Sequence, residues 1–274
     1  MPANTPANYA KRGKNLIDGW FARSDAEIFL SLLAHQSTHG HLGAIAEIGV
    51  HHGKSFIMMA LANDGNKCYA IDIFGQQKLN VDRSGKGDKN IFLRNLARFE
   101  IAPDRVVIDE RLSSDVTPQD IIGAVEKISF FHVDGGHHLA AIAHDLILAE
   151  AVMTDHGIIA VDDVFRPEWP EVSMGTFLHL GKSDCELVIF AIGFNKSYLC
   201  HKSHAKEYQA ALLKNDFLRM FLAKKYQVSR NEILVFQHYP LPEWGITTRV
   251  RNYLKTYHPD FAYLVSRIVR RIRN

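Results

Sequence analysis

Between residues 44 and 161 the chain alternates short, nearly continuous apolar runs with segments whose apolar residues recur at helical spacing. The apolar runs lie at 44–48, 68–73, 105–108, 129–133 and 157–161, and helical patterns fill the gaps at 54–63, 89–99, 117–125 and 138–152. Strands that alternate with helices form βαβ units, which demand a parallel sheet covered by helices on both faces. The runs read as uniformly apolar, as strands do when both faces are buried. Beyond a further helix after Pro170 the pattern changes. Two runs at 186–192 and 197–200, joined by Gly193-Phe194-Asn195-Lys196, read as an antiparallel hairpin closing the sheet. The expected fold is a Rossmann-like, doubly wound, mostly parallel seven-stranded α/β sheet with an antiparallel C-terminal hairpin.

Around this core the chain divides into an N-terminal arm and helix (1–38), a central domain (39–202) and a mostly helical C-terminal extension (203–274) with one possible strand at 233–236. Residues 1–20 are polar and read as a loosely attached arm, and Ser24 with Glu27 reads as a capping box opening the first long helix. Hydrophobic residues make up 47% of the 274, enough for a core and inconsistent with a disordered chain. No apolar run is long enough to span a bilayer, no secretory signal is evident, and Cys68, Cys185 and Cys200 are not in metal-ligand spacing. A cytoplasmic protein is therefore expected. The net charge of +2 is unevenly spread: residues 246–274 hold seven Lys/Arg and one Asp, a local +6, which leaves about −4 for the rest. Within that tail, Phe261, Leu264, Val265, Ile268, Val269 and Ile272 form one face and Arg267, Arg270, Arg271 and Arg273 crowd the other. A basic amphipathic helix of this kind can lie on an anionic membrane, on the body of the protein or on a second subunit.

Three places carry chemistry. At the first strand-to-helix turn the sequence reads Ala46-Glu47-Ile48-Gly49-Val50-His51-His52-Gly53-Lys54-Ser55. Gly53-Lys54-Ser55 echoes a phosphate-binding loop, but three residues separate its glycines where four are required. A dinucleotide fingerprint needs glycine where His51 stands. The turn could hold another nucleotide-like ligand, or the two glycines could simply pack a strand against a helix. Asp72 ends the second strand, at a spacing from Gly49 suited to one βαβ unit, and an acid there can accept ribose hydroxyls. Finally, Asp134 ends the fourth strand and Asp162-Asp163 ends the fifth. If these strands are neighbours, three carboxylates crowd one place, and they repel unless some are protonated or a cation such as Mg²⁺ lies between them. The bland alternative makes Asp162 and Asp163 a helix cap. His137, three residues after Asp134, is the favoured general base, since an imidazole titrates near neutrality. His138 is an alternative, whereas His144 lies two turns into its helix.

The ordered set E-x-G-x-x-x-G, Asp72, D-G-x-H at 134–137 and D-D at 162–163 resembles the metal-dependent branch of the class I S-adenosylmethionine-dependent methyltransferases. It is most similar to the macrolide deoxysugar O-methyltransferases. Asp163 stands where catechol-type relatives carry Asn, which favours the sugar-modifying ones. The resemblance covers about residues 40–200. It implies S-adenosylmethionine bound by Glu47, Gly49, Gly53, Ser55, Asp72, Ser113, Ser114 and Asp134. It also implies a divalent ion, Mg²⁺ or another, on Asp134, Asp162 and Asp163, and His137 as the base. The implied acceptor is a hydroxyl of a sugar, glycoside or similar small molecule, with no nucleic acid as partner and a homo-oligomer left open. A vicinal diol or catechol could chelate the ion. The Gly-, Asp- and Lys-rich stretch 74–90, with Asp82 and Ser84, is either a functional lid or a mobile surface loop.

Overall fold

The computed structural model describes residues 4–63, 65–228, 231–237 and 246–273. The N-terminal segment is not a loose arm. Helix α1 (Pro6–Lys11) is capped by Thr5, buries Tyr9 and Ala10, and is pinned to the domain by the Tyr9 hydroxyl, which donates to the Lys54 carbonyl at 2.7 Å. Tyr9 also packs edge-on against Phe99. Helix α2 (Arg23–Thr38) begins after Ala22, so Ser24 lies inside its first turn rather than at the cap. Glu27 instead meets Arg23 one turn back, at 2.5 Å.

The central domain follows as β1 (Ala44–Ile48), α3 (Lys54–Ala62), β2 (Cys68–Ile71), α4 (Lys89–Arg98), β3 (Val106–Asp109), α5 (Pro118–Val125), β4 (Ile128–Val133), α6 (Leu139–Val152) and β5 (Met153–Asp162). Local chemistry sets the helix starts. Asp88 accepts from the Ile91 N–H to open α4, and Thr117 and Asp120 form a reciprocal capping box on α5. Every residue of β1, β2 and β4 is buried, because helices cover both faces. Helix α7 (Pro170–Leu180) leads to the hairpin of β6 (Leu187–Gly193) and β7 (Lys196–His201).

The expected class holds, but among the described residues the sheet has nine strands rather than seven, in the order β3-β2-β1-β4-β5-β7-β6-β9-β8. The two additional strands come from the C-terminal extension. After α8 (Ala205–Lys214) and the short α9 (Asp216–Arg219), β8 (Leu222–Val228) and β9 (Asn231–Phe236) form an antiparallel pair, and β9 adds to β6 in parallel. The sheet thus runs across residue 203 without a break. Strands β3, β2, β1, β4 and β5 are all parallel, and β7 joins β5 antiparallel with Asp162 opposite Lys196. That register brings the end of the fifth strand against the hairpin turn.

Helices α10 (Ile246–Tyr257) and α11 (Pro259–Arg273) complete the chain. On α11, Phe261, Leu264, Val265, Ile268 and Val269 are exposed, while Ala262 is buried. The side chains of 270–273, where part of the basic face was expected, lie outside the described residues. No helix among the described residues is long and apolar enough to cross a membrane.

Candidate functional site

The carboxyl ends of the parallel strands open into a cavity of about 680 Å³. This is the edge where open α/β sheets bind ligands, and the volume is typical of small-molecule sites. Of the residues expected there, Gly49, Asp72, Ser113, Ser114, Asp134, His137, Asp162 and Asp163 line it. Glu47, Gly53 and Ser55 do not.

Glu47 is fully buried, takes a hydrogen bond from the Ser55 hydroxyl and meets His132 Nδ1 at 2.8 Å. Burial pushes its carboxyl well above the usual range and keeps His132 neutral. The three side chains form a polar tie behind the cavity wall. Gly53 caps α3 at φ +88°, and a Cβ there would press on the Phe92 ring at 2.7 Å. Its glycine therefore answers to helix–helix packing. Gly49, at φ +83°, is constrained more severely, since a Cβ would lie 1.7 Å from the Asp134 carbonyl oxygen. Only glycine lets β1 and β4 end so close together.

Asp72 is clamped by two backbone N–H groups, His51 N on Oδ2 at 2.7 Å and Phe74 N on Oδ1 at 2.5 Å. Burial raises its pKa, and these donors oppose the shift. Each carboxylate oxygen retains a second acceptor direction, a pair of acceptors that fits the two hydroxyl donors of a ribose diol. Ser113 and Ser114 line the same end of the cavity, beyond β3, next to Arg111, which is paired with Asp109.

The acidic end is built differently from the sequence-based expectation of three carboxylates around a metal. A resident cation is already present. Lys196, buried to 2% exposure, donates to Asp162 Oδ2. Asp162 Oδ1 accepts from Asp163 N at 2.9 Å and from Asn195 Nδ2 at 2.8 Å. Both oxygens of Asp162 are thereby engaged. Desolvation alone would lower the Lys196 pKa, but the neighbouring carboxyl groups, Asp162 foremost, outweigh that effect, raise it and keep the ammonium protonated. Asp134 is pushed well above the carboxylate range, by burial first and by the Asp162 charge second. Within the cluster Lys196 is thus paired with Asp162, and His137 with Asp163.

His137 is the centre of the remaining contacts. Its Nδ1 meets Asp82 Oδ2 at 2.8 Å, its backbone N–H donates to the same oxygen at 2.7 Å, and its Nε2 lies 3.1 Å from Asp163 Oδ2. Its ring stacks on Trp169 with centroids 4.3 Å apart. Burial would depress its pKa, but hydrogen bonds to Asp163 and Asp82 raise it to about 8. The imidazole is thus charged at neutrality, above the near-neutral value expected for it. Asp163 itself has φ +58°, a left-handed conformation that aims its carboxylate at His137 and Asn195. His138 serves instead as the N-cap of α6, accepting from Ala141 N through Nδ1. His144 pairs with Asp145 on α6 and does not line the cavity.

The stretch 74–90 folds over the cavity mouth. Leu79, Asn80, Val81, Asp82, Ser84 and Gly85 line it, and Asp82 is tied back by Ser84 N and Oγ. Those bonds and the ones from His137 overcome desolvation and hold Asp82 at about 2. Asp82, read in the sequence only as part of the 74–90 stretch, and Lys196 and Asn195, given no role there, complete the polar network of this edge. The available signal for the last two was register: residues at a hairpin turn beside a strand ending in Asp-Asp must meet those acids.

Residues 46–164 match the family model described as a methyltransferase domain. The O-methyltransferase NovP superposes with a TM-score of 0.57 at 16% identity, over 66% of this chain and 80% of NovP. Cofactor-bound Rv0187 from MTB superposes with a TM-score of 0.51 at 13% identity, over 72% of this chain and 89% of that one. No curated protein matches the chain in sequence. At such identities the structural likeness speaks for the fold.

Proposed function

We propose that this chain, with its methyltransferase domain at 46–164, is an S-adenosylmethionine-dependent O-methyltransferase acting on a hydroxyl of a sugar, glycoside or similar small molecule. The observation that carries the reading is the arrangement of one cavity: a clamped acid, Asp72, at one end and the Asp82–His137–Asp163 set at the other. S-adenosylmethionine, when bound, supplies an electrophilic methyl group on sulfur. Asp72 accepts the ribose hydroxyls, Ser113 and Ser114 flank the base, and the turn at Gly49 lets the backbone approach.

Asp82 accepts only, so it fixes the proton of neutral His137 on Nδ1, and Nε2, which faces Asp163 Oδ2 at 3.1 Å, turns its lone pair to an acceptor hydroxyl that enters between them. An acceptor hydroxyl docked there gives its proton to Nε2 as its oxygen takes the methyl group. The products are a methyl ether, S-adenosylhomocysteine and His137⁺, whose charge Asp82 and Asp163 stabilise. In-line positioning of the two reactants supplies much of the remaining acceleration. Trp169 beside His137 and exposed Trp20 at the mouth offer apolar faces suited to a sugar ring.

Asp134, His137 and Asp163 present ligand atoms within 4.8 Å of one another, a set able to hold Mg²⁺ or another divalent ion, with Asp162 behind them. Such an ion would lower the pKa of the acceptor hydroxyl. A metal-independent reaction is the second reading, favoured by the charge balance that Lys196 and His137 already give the cluster. Activity that survives exhaustive chelation supports the second reading, and loss restored by Mg²⁺ supports the first.

Substituting His137→Ala tests the proposal. Turnover should fall by about 10²–10⁴-fold, the range for a lost general base. Affinity for S-adenosylmethionine should be unchanged. Undiminished turnover would remove His137 from the chemistry.

A further inference from the structure

A second cluster lies at the opposite edge of the sheet, where the parallel strands begin. Six of the fifteen histidines gather there: His35 on α2, His39 just after it, His41 in the loop before β1, His156 on β5, His201 at the end of β7 and His204 just before α8. The His41 and His156 rings stack with centroids 3.7 Å apart, and His156 lies 4.1 Å from His204 and His35 3.9 Å from His39. Two of them converge on one atom. His35 Nε2 and His41 Nε2 lie 2.7 and 3.0 Å from Glu207 Oε1. His204 Nδ1 is 3.5 Å from the other oxygen of the same carboxylate, and His204 Nε2 is 3.3 Å from Asp155.

We infer that His35, His41 and Glu207 form a transition-metal site of the Zn²⁺ type, distinct from the methyl-transfer cavity. Three arguments support it. The ligand atoms of these three residues lie within 4.8 Å of one another, and His35 Nε2 and His41 Nε2 stand 2.7 and 3.0 Å from Glu207 Oε1, near the roughly 3.3 Å separation that bonds of about 2.0–2.1 Å to a tetrahedral ion require. Two imidazoles and a carboxylate form the donor set that borderline divalent ions select over Mg²⁺ or Ca²⁺. The set is also accessible: the His35, His41 and Glu207 side chains are 9, 14 and 32% exposed, which leaves the fourth position to solvent. Separately, His156 Nδ1 beside the cluster is buried with no hydrogen-bond partner, an uncompensated polar atom in the surrounding shell.

The ligands are far apart in sequence. His35 and His41 flank the end of α2, and Glu207 lies on α8 of the extension that supplies β8 and β9. An ion held by all three fastens the extension to the N-terminal half of the domain, and its binding energy adds to the stability of that junction.

The test uses full-length protein without a histidine tag, stripped with a chelator and titrated calorimetrically with ZnCl₂, and titrated in parallel with Co²⁺ to read the visible absorption of tetrahedral coordination. The unsubstituted protein and an Asp163→Asn variant, which removes a carboxylate from the other candidate ion site, should bind one Zn²⁺ with equal affinity and gain thermal stability from it. His41→Ala and Glu207→Gln, each shown to be folded by circular dichroism, should bind at least tenfold more weakly and lose the gain in stability. The inference is overturned if the unsubstituted protein takes up no Zn²⁺. It is equally overturned if His41→Ala and Glu207→Gln bind normally while Asp163→Asn does not.

Discussion

Removing Lys196 should damage the protein in a way that only its charge explains. In the folded chain its ammonium is almost completely buried, donates to Asp162, and faces the charges of Asp134 and Asp25. Replacing it by methionine keeps the length and apolar stem and removes the charge. Asp162, itself 9% exposed, then keeps the N–H donors of Asp163 and Asn195 but has no counter-ion. Stranding one member of a buried ion pair costs about 3–5 kcal/mol. That is a large share of the roughly 5–15 kcal/mol that holds a typical domain folded. For a chain of this size it corresponds to a fall in Tm of roughly 10 °C. Urea denaturation at pH 7 measures the loss directly. Adding Asp162→Asn to Lys196→Met should recover most of it, and the difference between single and double variants is the coupling energy. A Lys196→Met protein less than about 1 kcal/mol weaker than the parent would refute the reasoning. So would a double variant as unstable as the single one.

Two further predictions concern the catalytic edge and the tail. As a base, His137 acts only when neutral, so kcat/KM should rise with pH through a midpoint near 8, and Asp82→Asn, by removing a negative partner, should move that midpoint down by about one pH unit; an unmoved profile would show that another group controls the reaction. For the tail, we propose that α11 rests its exposed Phe261, Leu264 and Ile268 on anionic membrane, drawn by the local charge of +6; the full chain should sediment with phosphatidylserine-rich vesicles in a salt-sensitive manner and a chain ending at His258 should not, and equal sedimentation of the two would dismiss the idea.

The parts of the fold legible in sequence were those set by burial on both faces. Strands β1, β2, β4 and β5 are nearly continuous apolar runs over their cores, interrupted only by residues such as Glu47 and His132, because helices cover each side of the sheet. Strand β8 escaped for the opposite reason. Its sequence Leu-Ala-Lys-Lys-Tyr-Gln-Val lies at the sheet edge with six of seven residues exposed, and its lysines protect that edge from pairing with other chains. Ser24 has the right chemistry for a cap, but α2 starts at Arg23 because Arg23 and Glu27 close a buried pair across its first turn. In the site, strand-end acids were visible because the carboxyl edge of a parallel sheet is where ligands bind. The residues that pair with this edge were not, because Lys196 reaches Asp162 through strand register and Asp82 reaches His137 across 55 residues of chain. Glu47, Gly53 and Ser55 mark the limit of motif reading, since residues that share a glycine-rich turn can face its core side as readily as its ligand side.

The proposed reaction requires S-adenosylmethionine to occupy the cavity with its ribose on Asp72. Calorimetric titration of the chelator-treated protein with S-adenosylmethionine, with ATP and NAD as controls, tests this, together with the same titration of Asp72→Ala. The account predicts micromolar binding of S-adenosylmethionine alone among the three, weakened at least tenfold, about 1.4 kcal/mol, in Asp72→Ala. No binding, preference for ATP or NAD, or an affinity indifferent to Asp72 would contradict it.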